Sequence, residues 1–205
     1  TTYDVSVVNI EENGGRTPIP YILPPDIERE IDPADINLRQ LNEQSLSMKV
    51  CGLEDGDARA AYKITNFDVR SYKRLKMYVH AEDPSDALKN GDLTVFIRLG
   101  SDFTDNYYEY EIPLTFTPHG SYDPDIYADR QKVWPDANHF NFAFKVLQDA
   151  KQARNKNKED ITKRFAYPDG KNTVYVKGTP DLSRVNTIMI GIRNPKNTVL
   201  GGDDL

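Results

Sequence analysis

The chain has 205 residues, of which 38% are hydrophobic and 28% charged, and its formal net charge is −6 at pH 7. A chain of this length buries about 70% of the surface that its unfolded form exposes, so we expect it to fold without a metal or a disulfide. The negative charge argues against a general nucleic-acid or anionic-membrane binder. No apolar run approaches the roughly 20 residues of a membrane helix. Because the chain starts at Thr1 without a methionine or a leader pattern, we expect it to be a piece of a longer protein.

The first 40 residues predict an N-terminal strand and an extended, proline-rich arm. Residues 3–10 are β-branched and partly alternating, which is typical of a strand. Four prolines lie between Glu11 and Pro25, and proline cannot donate to a sheet ladder, so we expect an extended connector there. Residues 26–40 are rich in charge and broken by Pro33, which favours a surface segment.

From residue 41 the pattern becomes regular and predicts a second unit over residues 41–205. Alternating or β-branched runs bounded by turn residues occupy 45–53, 72–82, 93–100, 107–117, 138–144, 173–178 and 185–192. The run 59–69 is ambiguous, and 119–133 is predicted as a long polar loop. Helix formers with an apolar set at Val146, Leu147 and Ala150 predict one helix near 145–160.

Eight or nine strands without a βαβ rhythm predict an all-β, antiparallel β-sandwich with a short helix. The order of elements is similar to the jelly-roll shape of many carbohydrate-binding modules, a likeness of fold that carries no activity with it.

Cys51 is the only cysteine, so the chain has no internal disulfide and no thiolate metal site. It alternates with Met48 and Val50, which predicts a half-buried, inert thiol, with a reactive thiol as the alternative.

Two acidic turns offer oxygen atoms to a calcium ion. The candidate ligands are Asp55 and Asp57 in one turn, and Asp102, Asp105 and Asn106 in the other. Neither turn fits the twelve-residue calcium loop. Turns favour Asp, Asn and Gly for backbone reasons alone, so we expect ordinary turns with calcium as the alternative.

The aromatic candidates for stacking a sugar are Tyr107, Tyr108, Tyr110 and Trp134. On a strand, Tyr108 and Tyr110 share a face with Ile112, which predicts core residues whose phenol groups reach the rim. Tyr107 falls on the other face with Glu109 and Glu111, which predicts a polar face. Tyr107 and Trp134 remain candidates for a ligand or partner surface.

The three histidines, His80, His119 and His139, lack the spacing of a zinc site. No nucleophile elbow surrounds the Ser–His pair at 119–121, so we expect no catalysis. The predicted helix carries a basic face, which indicates either a solvated surface or a docking surface for a partner. Its cations are Lys151, Arg154, Lys156 and Lys158.

Several long phrases, taken in order, resemble the SprA/Sov family. They occupy residues 7–30, 38–63, 68–82, 95–114 and 174–195. This family consists of very large outer-membrane proteins of Bacteroidetes associated with gliding motility and the type IX secretion system. The resemblance spans the chain from about Val5 to Pro195.

The resemblance implies that the whole protein is the translocon, a giant β-barrel through which folded cargo leaves the periplasm. It implies two partners, a PorV-like barrel protein and a periplasmic plug protein, and it implies no catalytic residue and no cofactor. The predicted strands lack the outward apolar band of membrane strands. We therefore expect a soluble domain inserted between barrel strands, in the extracellular cap rather than on the periplasmic side.

The expected function is a non-catalytic scaffold, monomeric when isolated, that contacts other parts of the translocon and secreted cargo. The surfaces expected to do so are the proline-rich arm at 17–25 and the basic helix at 148–158. The alternative is a cell-surface carbohydrate-binding module.

Overall fold

The computed structural model of the protein describes residues 1–34 and 36–196, which form ten strands and three short α-helices. The strands are β1 (Thr2–Asn9), β2 (Gln44–Cys51), β3 (Ala58–Phe67), β4 (Arg74–Met77), β5 (Thr94–Gly100), β6 (Tyr107–Pro113), β7 (Phe140–Ala143), β8 (Phe165–Asp169), β9 (Asn172–Lys177) and β10 (Val185–Arg193). The helices are α1 (Ile10–Asn13), α2 (Tyr127–Val133) and α3 (Phe144–Lys156), with a 3-10 turn at Asp136–Asn138. None of the helices in the described ranges is long and apolar enough to cross a membrane.

The predicted all-β, antiparallel sandwich with a short helix is confirmed. Six strands form one sheet in the order β3-β10-β5-β6-β9-β8, and every neighbouring pair is antiparallel. The two-stranded sheet β4-β7 and helix α3 pack over one face of this sheet. The jelly-roll topology remains a prediction, and residues 197–205 of the predicted second unit lie outside the described residues.

The core between these layers follows from strand alternation. Alternate residues of β5, β6 and β9 are buried against the second layer, and they are Val95, Ile97, Leu99, Tyr108, Tyr110, Ile112, Val174 and Val176. The facing layer contributes Phe140, Phe142, Phe144, Leu147 and Ala150. Buried apolar residues of this size stabilise the fold by about 1.5–3 kcal/mol each, so this cluster is the main source of stability.

The prediction that Tyr108 and Tyr110 are core residues is confirmed, because they are only 3% and 4% exposed. The Tyr110 ring stacks on Phe142 with 4.1 Å between ring centroids, and its hydroxyl donates to Asp169 Oδ2 at 2.6 Å. The Tyr108 hydroxyl donates to the Pro180 carbonyl oxygen at 3.4 Å. Burial raises the pKa of both phenols to about 12.

Two sequence predictions differ from the structure. The predicted polar loop 119–133 contains helix α2, which the pattern hides because Val133 is its one buried residue. The strand predicted over 72–82 ends at Met77. The ambiguous run 59–69 forms most of β3. A turn through Gly170, whose φ of 64° suits glycine, joins β8 to β9.

The N-terminal segments pack onto residues that follow them. β1 pairs with β2 along its whole length, from Thr2 opposite Cys51 to Asn9 opposite Gln44. The arm buries Ile19 and Ile22 in a second apolar cluster with Trp134. The division of the chain at residue 40 stays a prediction. In the structure, residues from both sides of it pair in the β1–β2 ribbon and pack together in the Trp134 cluster.

Candidate interaction surfaces

The loop between β5 and β6 is closed by Asp102. Its carboxylate accepts four hydrogen bonds of 2.6 to 3.0 Å from Thr104 N, Asp105 N, Asn106 N and Asn106 Nδ2. Partial burial alone would raise the pKa of Asp102, but these donors hold it well below its usual range. Asp105 pairs with Lys177 at 3.0 Å, so the carboxylates considered for calcium interact with donors of the chain itself.

The second acidic turn joins β2 to β3. Asp57 donates its N–H to the Glu54 carbonyl oxygen at 3.0 Å, and its carboxylate lies 3.5 Å from Arg59. Gly56 has a φ of 84°, and Asp55 is exposed. Within residues 1–34 and 36–196, no group of three or more His, Cys, Asp or Glu side chains is arranged to hold a metal ion.

The second face of the six-stranded sheet carries a buried charge cluster that the sequence reasoning missed. Glu109 is fully buried, and its carboxylate contacts Arg98 at 2.6 Å, Arg193 at 3.0 Å and also Arg164. Glu111 contacts Arg164 and Arg193 as well. Burial alone would raise the pKa of Glu109, but the three guanidinium charges hold it below its ordinary value. The polar face predicted for β6 is therefore internal.

Aromatic rings complete this charge cluster. Arg98 lies 3.9 Å from the centroid of the Tyr107 ring, and Arg164 lies 3.4 Å from that of Tyr175. Tyr107 is 5% exposed, so its ring stacks on a guanidinium and offers no open face to a ligand. The sequence did carry a hint, because Glu109 and Glu111 stand two positions apart in one largely apolar strand, and Arg98 and Arg193 are single cations in two others.

Trp134 lies in the cluster beneath the arm. Its Nε1 donates to the Ile22 carbonyl oxygen at 2.9 Å, and the edges of the Tyr21 and Tyr78 rings approach it. Arg130 holds the same segment by donating to carbonyl oxygens, including that of Leu23 at 3.0 Å. The arm was expected to offer a docking surface, and its apolar residues instead bury Trp134.

The four cations predicted for the basic helix divide into two pairs, and Lys158 lies beyond the end of α3. Arg154 is buried and donates from Nη1 to the Gly178 carbonyl oxygen at 2.7 Å. Lys151 donates to the Pro180 carbonyl oxygen at 2.8 Å, and burial together with the nearby charge of Arg154 lowers its pKa. These two hydrogen bonds attach α3 to the segment after β9. Lys156 and Lys158 are exposed.

The ribbon β1–β2 turns its larger apolar side chains outward. Direct pairing of Val5 with Met48 and of Val7 with Leu46 puts these four side chains on one face. Val5 is 42% exposed, Val7 58% and Leu46 50%. On the opposite face Ser45 is half-buried, and its Oγ is 2.6 Å from the hydroxyl of Tyr21. An antiparallel sheet with one covered face normally buries its apolar side, so this arrangement is inverted.

The ribbon also explains why the prediction for Cys51 was wrong. Cys51 is exposed, not half-buried. It pairs with Thr2 at the open end of the ribbon, beyond the part that rests on the Trp134 cluster. Alternation correctly predicted its strand but could not show that this end of the strand is uncovered.

A second exposed apolar surface lies on β3, at the end of the six-stranded sheet. Tyr62 is 58% exposed, Ile64 75% and Phe67 53%. Unpaired edge strands with exposed apolar side chains are surfaces on which other chains pair.

The fold and its surfaces define an antiparallel β-sandwich with internally paired charges and two exposed apolar strand surfaces. The family described as motility related/secretion protein, SprA_N, matches residues 1–202. The chain therefore belongs to this family, which confirms the SprA/Sov resemblance. No curated protein matches the sequence at a significant level.

Proposed function

We propose that this chain is a soluble, non-catalytic scaffold and interaction domain of a type IX secretion translocon. Membership of the motility and secretion family supports the process. The observation that carries the interaction role is the inverted ribbon, in which Val5, Val7 and Leu46 face outward. Half-exposed aliphatic side chains of this kind contribute about 1 kcal/mol each when a partner covers them.

The outer face of the ribbon packs against a neighbouring part of the full-length secretion protein. Two strands alone form a marginal sheet. This ribbon packs on the Trp134 cluster through Val8, and its Ser45 Oγ lies 2.6 Å from the Tyr21 hydroxyl. Covering its outer face fixes the sandwich relative to the translocon. The rigid sandwich then acts sterically, because it covers or lines the path that cargo follows through the translocon.

Substitutions on the ribbon test this role. In the full-length protein in its host, the double variant Val7→Ser with Leu46→Ser is expected to reduce cargo release and cell spreading at unchanged protein abundance. The matched control is Ile126→Ser with Ile161→Ser, which removes two similarly exposed apolar side chains outside the ribbon. Normal secretion and spreading by the ribbon variant would contradict the proposal.

The domain faces the outside of the cell in this proposal. The partners of the full-length protein include a PorV-like barrel protein, a periplasmic plug protein and secreted cargo. Protease digestion of intact cells tests its location. Cleavage within the mostly exposed residues 26–34 or 36–40 on intact cells is expected. Cleavage only after the outer membrane is opened would place the domain on the periplasmic side.

We do not extend the proposal to a carbohydrate-binding module. Its platform would need exposed, coplanar rings, and the rings of Tyr107 and Trp134 are both buried.

A further inference from the structure

β3 is an end strand that presents a long, regular edge. Its residues Ala58 to Ile64 pair with β10 in unbroken register, and a register shift follows near Val185. In the described residues β3 has β10 as its only strand neighbour. The N–H and C=O groups directed away from β10 along these seven positions are therefore open to another strand.

The two faces of this edge differ in chemistry. Tyr62 and Ile64 lie on one face, where the Tyr62 ring contacts Phe103 with 4.9 Å between centroids. Arg59 and Lys63 lie on the other face, opposite Ile192 and Ile188 of β10. The strand contains no acidic residue, although the whole chain carries a net charge of −6.

We propose that β3 binds an extended segment of a partner protein as a seventh strand, and that this segment alternates acidic with apolar residues. Acidic side chains of the bound segment would form ion pairs with Arg59 and Lys63. Its apolar side chains would cover Tyr62 and Ile64 on the other face. Backbone hydrogen bonds along the open edge provide the affinity, and this alternation provides the specificity. The inference concerns a different surface from the ribbon and does not depend on it.

Charge argues for such a partner over a second copy of the chain. If two copies paired edge to edge through β3 in one continuous sheet, both would keep their cations on the same face. Four cations, Arg59 and Lys63 from each copy, would then lie close together where the two strands meet, and their mutual repulsion is destabilising. Arg59 is partly neutralised by Asp57 at 3.5 Å, but within the described residues Lys63 has no ion-pair partner. An acidic strand relieves this repulsion.

A charge-swap experiment on this chain tests the proposal. The probe is a synthetic nine-residue peptide in which glutamate alternates with valine, and the second peptide has lysine in place of each glutamate. The chain is expected to bind the glutamate peptide, with slower hydrogen exchange at the β3 amides directed away from β10. Lys63→Glu is expected to weaken binding of the glutamate peptide roughly tenfold and to strengthen binding of the lysine peptide. Lys171→Glu, an exposed substitution in the β8–β9 turn, is the matched control and should change neither affinity.

Three results would overturn the proposal. The first is no binding of the glutamate peptide at millimolar concentration. The second is binding that leaves the exchange of the β3 amides unchanged, or that responds equally to Lys63→Glu and Lys171→Glu. The third is protection of the β3 amides that grows with protein concentration in the absence of peptide, since the occupant would then be a second copy. None of these results bears on the ribbon substitutions that test the proposed function.

Discussion

The six-stranded sheet and the β1–β2 ribbon use side-chain polarity in opposite ways. In the sheet, both faces of β6 are buried, and one of them buries Glu109 among three arginines. In the ribbon, Val7 and Leu46 face outward while Ser45 faces the domain. The difference teaches that burial in this chain follows what packs over each face more than the polarity of each residue.

The largest expected effect comes from removing the buried charge of the sheet. Glu109→Gln leaves three arginines without their shared carboxylate, and we expect it to lower the free energy of unfolding by about 3–5 kcal/mol. Urea unfolding measures this loss. Glu28→Gln removes an exposed charge and should change stability by less than about 0.5 kcal/mol.

The pH dependence of unfolding provides a second readout of the same substitution. The pKa of Glu109 is lower in the folded protein than in the unfolded chain, where it is about 4.3. Its stabilisation is therefore complete above that value and is lost as the pH falls through the lower, folded pKa. The wild type should lose more stability than Glu109→Gln in this acidic range, and identical pH profiles would mean that the cluster is not paired as described.

The next effect tests the packing of the arm. Ile22→Ala opens a cavity beside Trp134 and is expected to cost about 2–4 kcal/mol. Because Trp134 is the only tryptophan, its emission should also shift to longer wavelength as water reaches the ring. Thr17→Ala, at an exposed arm position, is the control. Unchanged emission and stability in Ile22→Ala would mean that the arm does not cover Trp134.

A smaller effect is expected in the loop before β6. Asp102→Ala removes the acceptor for four donors, and we expect a loss of about 1 kcal/mol because water replaces the carboxylate in this accessible loop. Asp105→Ala breaks one exposed ion pair and should cost less. The comparison is made by urea unfolding, and equal losses would argue against Asp102 as the residue that closes the loop.

The smallest effect on stability belongs to the ribbon. Val7→Ser replaces a side chain that is more than half exposed, and the isolated chain should change by about 0.5 kcal/mol or less. Thermal unfolding measures this. A loss comparable to that of Ile22→Ala would show that Val7 packs within the domain itself, which would remove the contrast between ribbon and sheet.

Much of the sandwich could be predicted because its strands obey simple alternation. Tyr108, Tyr110 and Ile112 share a face in any strand, and three side chains of this size and apolar character belong in a core. The same reasoning placed α3 from the spacing of Leu147 and Ala150.

The candidate surfaces could not be predicted in this way because they depend on which side chains pack over each face. Alternation indicates that Glu109 and Tyr107 share a face, but the arginines that bury them come from three separate places in the chain. The same alternation is compatible with Val7 facing inward or outward, and only the packing of the opposite face on the Trp134 cluster decides it. Helix α2 was missed because one buried residue leaves no period to detect.

The most direct test of the proposed role measures whether the outer face of the ribbon is covered in the full-length protein. In a Cys51→Ser background, a cysteine is placed by Val7→Cys or, as a control, by Ile161→Cys at a similarly exposed site. The rate of maleimide labelling is compared between the isolated chain and the full-length protein, by mass spectrometry of each peptide. We predict at least a roughly tenfold slower reaction at position 7 in the full-length protein and no change at position 161. Equal rates at position 7 in the two proteins would contradict the account.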